Sequence, residues 1–215
     1  MEIENILPGE IEKRSMEIIE NELGDVSHLS ESEKLVLKRV IHTTADFDYC
    51  RNLKFSADAA ELGKNALKNG AVIVTDTNMA LSGISKPASE KFGCKLLCFM
   101  GDKDVAQKAK ETGVTRAVIS MEKAADMFSR ENLIFAVGNA PTALIRIHDL
   151  IHENRIKPSL VIGAPVGFVN VEQSKKLIMS DNVPYIVADG RKGGSTVAAA
   201  ICNALLYQLY DREKG

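Results

Sequence analysis

The apolar positions of this chain change period once, near residue 70. Before that point they recur at helical spacing. Pro8 and Gly9 introduce a segment running to Leu23, with Ile11, Ile18, Ile19 and Leu23 in helical register. Ser30 and Glu33 form a capping-box signal for a second helix. A third is predicted from about Ala57 to Asn69, with Ser56 as its N-cap and Gly70 as a left-handed stop. Beyond residue 70 come short apolar runs at 71–75 (AVIVT), 95–100 (KLLCFM), 116–119 (RAVI), 133–137 (LIFAV), 159–163 (SLVIG) and 185–188 (YIVA), separated by helical stretches. Continuous apolar strands alternating with helices predict a parallel sheet buried on both faces. RAVI, the weakest of these runs, is placed at an outer edge.

Right-handed crossovers carry every strand-to-helix turn to one edge of such a sheet, and ligands bind there, where the strand order reverses. The first strand then neighbours the one at 133–137. The turns TDTN (75–78) and GNAPT (138–142) flank the switch point of this doubly wound α/β fold.

The 215 residues are 45% hydrophobic and contain no Pro/Gly/Ser-rich linker, which predicts one domain over 1–215. N-terminal helices occupy about 8–69 and the sheet part about 70–215. The 27 basic residues nearly balance 29 acidic ones without a Lys/Arg run, arguing against a nucleic-acid partner. No segment has the apolar length of a membrane span, and the acidic opening MEIENILPGE lacks a secretory pattern. Cys50, Cys94, Cys98 and Cys202 form no metal or disulfide motif, so a cytoplasmic chain with reduced thiols is expected.

Candidate chemistry begins at KRVIHTTADFDY (38–49), where Arg39, His42 and Asp46 stand three and four residues apart on one helical face. That spacing suits proton transfer, with Asp46 orienting the imidazole, although it equally describes a solvated face. Ser15 interrupts an apolar stripe and needs a partner, either the carbonyl one turn back or a ligand. In GRKGGST (190–196), Gly193 and Gly194 allow close backbone approach, Ser195 and Thr196 offer hydroxyls or a cap, and Arg191 stands nearby, a combination suited to a carboxylate ligand. Thr77 in the first turn, and Asn139 and Thr142 around the GNAPT turn, lie where a ligand would reach the sheet edge. The first turn lacks the glycines of a dinucleotide site, which argues against a nicotinamide enzyme. His148 and His152 have metal-ligand spacing, but no third ligand is evident, so no metal is expected.

Taken in order, KRSMEII (13–19), KRVIHTTADFDY (38–49), FSADAAEL (55–62), TDTNMALSGISK (75–86), GVTRAV (113–118), GNAPTAL (138–144), GAPVGFV (163–169) and GRKGGSTVAAAICNALLYQL (190–209) resemble the precorrin-8X methylmutase family of cobalamin biosynthesis over nearly the whole chain. HTTADFDY, TDTNMALSGI and GRKGGS are closest to its cobalt-precorrin-8 members. One departure is Asn170, where the family usually has a small residue. The resemblance implies a flavodoxin-like three-layer α/β/α fold with sheet order 2-1-3-4-5, and a homodimer with active sites near the subunit interface. It also implies an isomerase that moves a methyl group from C11 to C12 of precorrin-8X or cobalt-precorrin-8, giving hydrogenobyrinate or cobyrinate. The family's catalytic histidine matches His42, and its substrate contacts match Ser15 and Arg39. The implied partner is a corrinoid polycarboxylate. No cofactor or methyl donor is implied, since any cobalt belongs to the substrate. The competing expectations are a corrinoid carrier without catalysis and, less compatible with the first turn, a flavin or nicotinamide oxidoreductase.

Overall fold

A computed structural model describes residues 4–210. A 3-10 turn, Pro8–Glu10, leads into α1 (Ile11–Glu22), and α2 (Glu31–Thr44) follows. The capping box of α2 is complete: the Ser30 hydroxyl accepts the Glu33 N–H, and the Glu33 carboxylate accepts the Ser30 N–H at 2.8 Å. Val36, Leu37, Val40 and Ile41 turn inward, and Ala45 stops the helix in the left-handed conformation. Next come α3 (Tyr49–Asn52), β1 (Leu53–Phe55), α4 (Ala59–Lys68), β2 (Val72–Thr75), α5 (Asn78–Gly83), α6 (Lys86–Lys91) and β3 (Lys95–Leu97). The chain continues through α7 (Lys103–Thr112), α8 (Arg116–Phe128), β4 (Leu133–Val137), α9 (Pro141–His152), β5 (Leu160–Gly163), α10 (Val171–Ser180), β6 (Tyr185–Ala188) and α11 (Ser195–Tyr207).

The sheet order is β1-β6-β5-β4-β2-β3, with β1 antiparallel to β6 and every other pair parallel. Without β1 this is the expected 2-1-3-4-5 order, and β2 neighbours β4, with Ile73 opposite Ile134. Successive side chains of a strand face opposite layers. Thus Ile73, Ile134 and Ala136 join the core under α2, α4 and α11, while Val72, Val74, Phe135 and Val137 join the core under α7 to α10. Helix α11 is apolar nearly all round because it is covered on both sides, by the sheet beneath and α2 above.

Four local expectations are corrected. RAVI is the first turn of α8, not a strand: Thr115 caps it by accepting the Val118 N–H, and the buried positions continue through Met121, Ala124 and Ala125 at helical spacing. The antiparallel edge strand β1 interrupts the region predicted as N-terminal helices. Ser56 does not cap the third helix, which starts at Ala59; its hydroxyl accepts the Tyr185 N–H at 2.9 Å. The run at 95–100 forms a strand only over Lys95–Leu97. Asn170, the departure from the family pattern, has φ 58° at the start of α10, a left-handed conformation asparagine tolerates better than most residues.

Candidate functional site

The carboxyl ends of β2, β4, β5 and β6 present their turns along one edge, and Asp76 organises them. Its carboxylate is fully buried and accepts three backbone N–H groups from the neighbouring turn, those of Gly138 (2.8 Å), Asn139 (2.8 Å) and Ala140 (2.6 Å). Burial pushes its pKa up, and those three donors oppose the rise. In the same turn, Thr77 caps α5 by accepting the Ala80 N–H, and its hydroxyl lies 2.7 Å from that of Ser195.

Two glycines make this convergence possible. A Cβ on Gly138 would sit 2.6 Å from the Ser195 Cα, and one on Gly193 would sit 2.2 Å from the Ala164 carbonyl oxygen. Gly193 also has φ +158°, and Gly194 donates its N–H to that same carbonyl at 2.8 Å. Beneath the 190–194 turn lies Lys175, fully buried, whose ammonium donates to the Gly190 carbonyl at 2.7 Å and the Lys192 carbonyl at 2.8 Å. Desolvation lowers its pKa to about 8, against the attraction of Asp189 and Glu172.

The same turn reaches the end of α2. Lys192 donates to Asp46 at 2.6 Å and to Asp48 at 2.7 Å, and Lys192 and Arg51 hold the Asp48 carboxyl below its ordinary range. Asp46 is therefore committed to Lys192 and to the Asp48 N–H, not to the imidazole as its spacing suggested. His42 is exposed in the last turn of α2, with no hydrogen-bond or ionic partner among the described residues. Arg39, one turn earlier, pairs with Glu12 of α1 at 2.7 Å and lies 5.3 Å over the Tyr207 ring. It lines a cleft of about 300 Å³ with Met16, Leu35, Lys38 and Tyr207, between α1, α2 and the end of α11. Ser15 donates to the Ile11 carbonyl at 2.9 Å, the backbone partner foreseen for it.

The remaining candidates divide. Thr77 and Ser195 meet directly, and Gly193 belongs to the turn leading into Ser195. Ser195 is the first residue of α11 rather than its cap, which is Gly194. Asn139 is exposed at the switch point. Thr142 points elsewhere, its hydroxyl 2.9 Å from that of Thr115. Arg191 pairs with Glu172 at 2.9 Å and lies 5.6 Å over Phe168. Three organising residues escaped the sequence reading. Asp76 was visible only as part of a polar turn, Lys192 only as one of two cations beside glycines, and Lys175 sits in an ordinary amphipathic pattern that gives no sign of its burial.

The comparisons agree with one another. The precorrin-8X methylmutase family profile matches residues 10–208. The cobalt-precorrin-8 methylmutase of Leptospira interrogans is 45% identical, with 91% of this chain and 91% of that protein covered. The cobalt-precorrin-8 methylmutase of Priestia megaterium is 43% identical over 93% of this chain and 88% of its own length. Among solved structures, the precorrin-8X methylmutase from Thermus thermophilus superposes with a TM-score of 0.86 at 38% identity, covering 91% of this chain and 93% of that one.

Proposed function

Because this chain belongs to the precorrin-8X methylmutase family and is an isomerase of cobalamin biosynthesis, we propose that it moves the C11 methyl group of cobalt-precorrin-8 to C12 with His42 as the acid/base. The cobalt form is favoured by the names of the 45% and 43% identical relatives. A carrier without catalysis finds no support among relatives named as methylmutases.

The observation that carries the assignment of His42 is its combination of exposure and lack of a partner among the described residues, while Arg39 and Asp46 of the same row are both paired. An imidazole can lend a proton to the conjugated macrocycle, withdrawing electron density while the methyl group migrates, and then recover it from the rearranged product. Atoms balance without a donor or cofactor, since the methyl group stays within one molecule and any cobalt arrives with the substrate. Arg39 is the carboxylate anchor: a peripheral acetate or propionate would replace Glu12 on its planar fork, while Tyr207 holds the guanidinium in place. Ser15 keeps acceptor lone pairs while donating to Ile11. Asn139, Gly193, Ser195 and Thr77 form the rim at the switch point, with Arg191 and Thr142 further out.

The assembly is a homodimer in this reading, in the cytoplasm. All four cysteine thiols are free, which suits a reducing compartment, and no helix among the described residues is long and apolar enough to cross a membrane. The test of the site is His42→Ala. Conversion of cobalt-precorrin-8, followed by visible absorption, should fall by about 10²-fold or more, while the bound pigment still shows its shifted spectrum. Turnover near the parent rate removes His42 from the reaction. Binding without conversion by the parent protein itself would restore the carrier reading.

A further inference from the structure

At the amino edge of the sheet, away from the substrate turns, His148 and His152 of α9 meet a third metal-ligating group that sequence spacing did not reveal. Helix α9 begins at the switch point with Pro141 and runs to His152, so its histidines lie towards the opposite edge from Gly138 and Asn139. Asp181, which terminates α10, turns its carboxylate between them. The His148 Nδ1 lies 2.8 Å and 3.1 Å from the two Asp181 oxygens, and the His152 Nε2 lies 3.0 Å from the first of these. The ring centroids are 4.4 Å apart at a tilt of 57°, and one potential ligand atom from each residue lies within 4.8 Å of the others. Among the described residues this is the sole such trio.

We propose that His148, His152 and Asp181 form a structural site for a divalent first-row transition metal of the zinc type, clamping the end of α9 to the turn after α10. Two imidazoles and a carboxylate suit zinc, nickel, cobalt or copper, whereas magnesium and calcium prefer all-oxygen sets. Zinc bonds to nitrogen and oxygen are roughly 2.0–2.2 Å. Tetrahedral ligands around such an ion stand about 3.4 Å apart, so the nitrogen–oxygen separations need open by only a few tenths of an ångström. The burial pattern also fits. The Asp181 side chain is 1% exposed and His148 20%, giving a fixed base, while His152 at 65% leaves room for water as a fourth ligand. Placing a cation there neutralises a nearly buried carboxylate whose hydrogen-bond partners among the described residues are the two ring nitrogens. The competing arrangement is one carboxylate accepting ring N–H groups from both histidines, with no metal affinity.

Untagged full-length protein, stripped with EDTA and dialysed, separates the two by calorimetric titration with zinc chloride and by thermal unfolding. The expected result is one zinc per chain and a raised unfolding midpoint. His152→Ala should weaken binding about 100-fold or more and abolish the shift in midpoint, and Asp181→Asn should do the same. Cobalt(II) should give visible ligand-field bands in the parent and none in His152→Ala. Because His152 is exposed, that variant keeps the test decisive if Asp181→Asn does not fold. Absence of saturable zinc binding up to roughly 100 μM, or binding unchanged in His152→Ala, overturns the site. So does equal affinity for magnesium. Methyl migration should proceed equally in the parent and in His152→Ala, with and without zinc, since the clamp lies at the far edge of the sheet.

Discussion

Asp76 and Gly193 show how much of the candidate site depends on single residues that hold its backbone turns in shape. The Asp76 carboxylate satisfies three backbone donors of the turn on the adjacent strand. In Asp76→Asn one oxygen becomes an NH₂ group facing N–H donors, so at least one buried donor loses its acceptor. The expected loss is about 1–3 kcal/mol for each orphaned group, read as a lower urea midpoint at unchanged m-value, with corrinoid binding weakened because the Asn139 turn loosens. Gly193→Ala should do more. Its φ of +158° lies in a region open essentially to glycine, costing about 1–3 kcal/mol, and the added Cβ would overlap the Ala164 carbonyl. Soluble Gly193→Ala protein with parental turnover would show that the 190–194 turn is not shaped for the substrate.

At the scale of elements, Lys175 couples α10 to that same turn through two carbonyls. Its pKa is lowered by burial to about 8, against an ordinary value near 10.4 in an unfolded chain. Between about pH 8 and 10.4 the unfolded chain therefore holds a proton that the folded chain has released, and this group's contribution to stability rises with pH across that window. Lys175→Met removes the titration along with both hydrogen bonds. Urea unfolding from pH 7 to 10 should show the parent gaining on the variant above pH 8; a pH-independent difference would contradict the burial argument. Lys175 also illustrates the limit of reading elements from sequence. The buried strands LIFAV and YIVA and the Ser30–Glu33 capping box were legible because short apolar runs and helix signals act locally, whereas the order of the parallel strands came with the family resemblance. RAVI misled because three apolar residues, Ala117 to Ile119, fit either period, and only Thr115 before the run and Ala124 and Ala125 after it settle it. LKF is too short to announce a strand without its partner β6. The candidate residues were legible as chemistry, but their partnerships were not: Asp46 faces Lys192 across 146 positions of chain, and Asp181 reaches His148 across 33.

For the whole molecule, the proposed twofold assembly has its best-matched surface in the loop after β5. Val166, Phe168 and Val169 are 49%, 81% and 78% exposed, three large apolar side chains within four residues. Isolated apolar groups on a surface are ordinary, but a contiguous projecting cluster marks a contact. The α1 stripe competes less well, because the Glu4–Arg14 and Glu12–Arg39 pairs lie along it. The loop also adjoins the candidate site: Arg191 packs over Phe168, and Gly193 passes against the Ala164 carbonyl at its base. A self-complementary contact here would bring the same patch of two chains together, as a twofold axis requires, and set two substrate edges beside one interface. Phe168→Glu would place a charge in that interface while leaving an exposed position of the single chain nearly unperturbed. Sedimentation should then show a dimer for the parent and a monomer for Phe168→Glu, with the free energy of unfolding of the single chain changed by no more than about 0.5 kcal/mol and methyl migration sharply reduced. A Phe168→Glu protein that remains dimeric would move the interface elsewhere, to α1 first, where Ile11→Glu is the corresponding test. A monomeric variant with full turnover would instead separate assembly from catalysis and leave each chain with a complete site of its own.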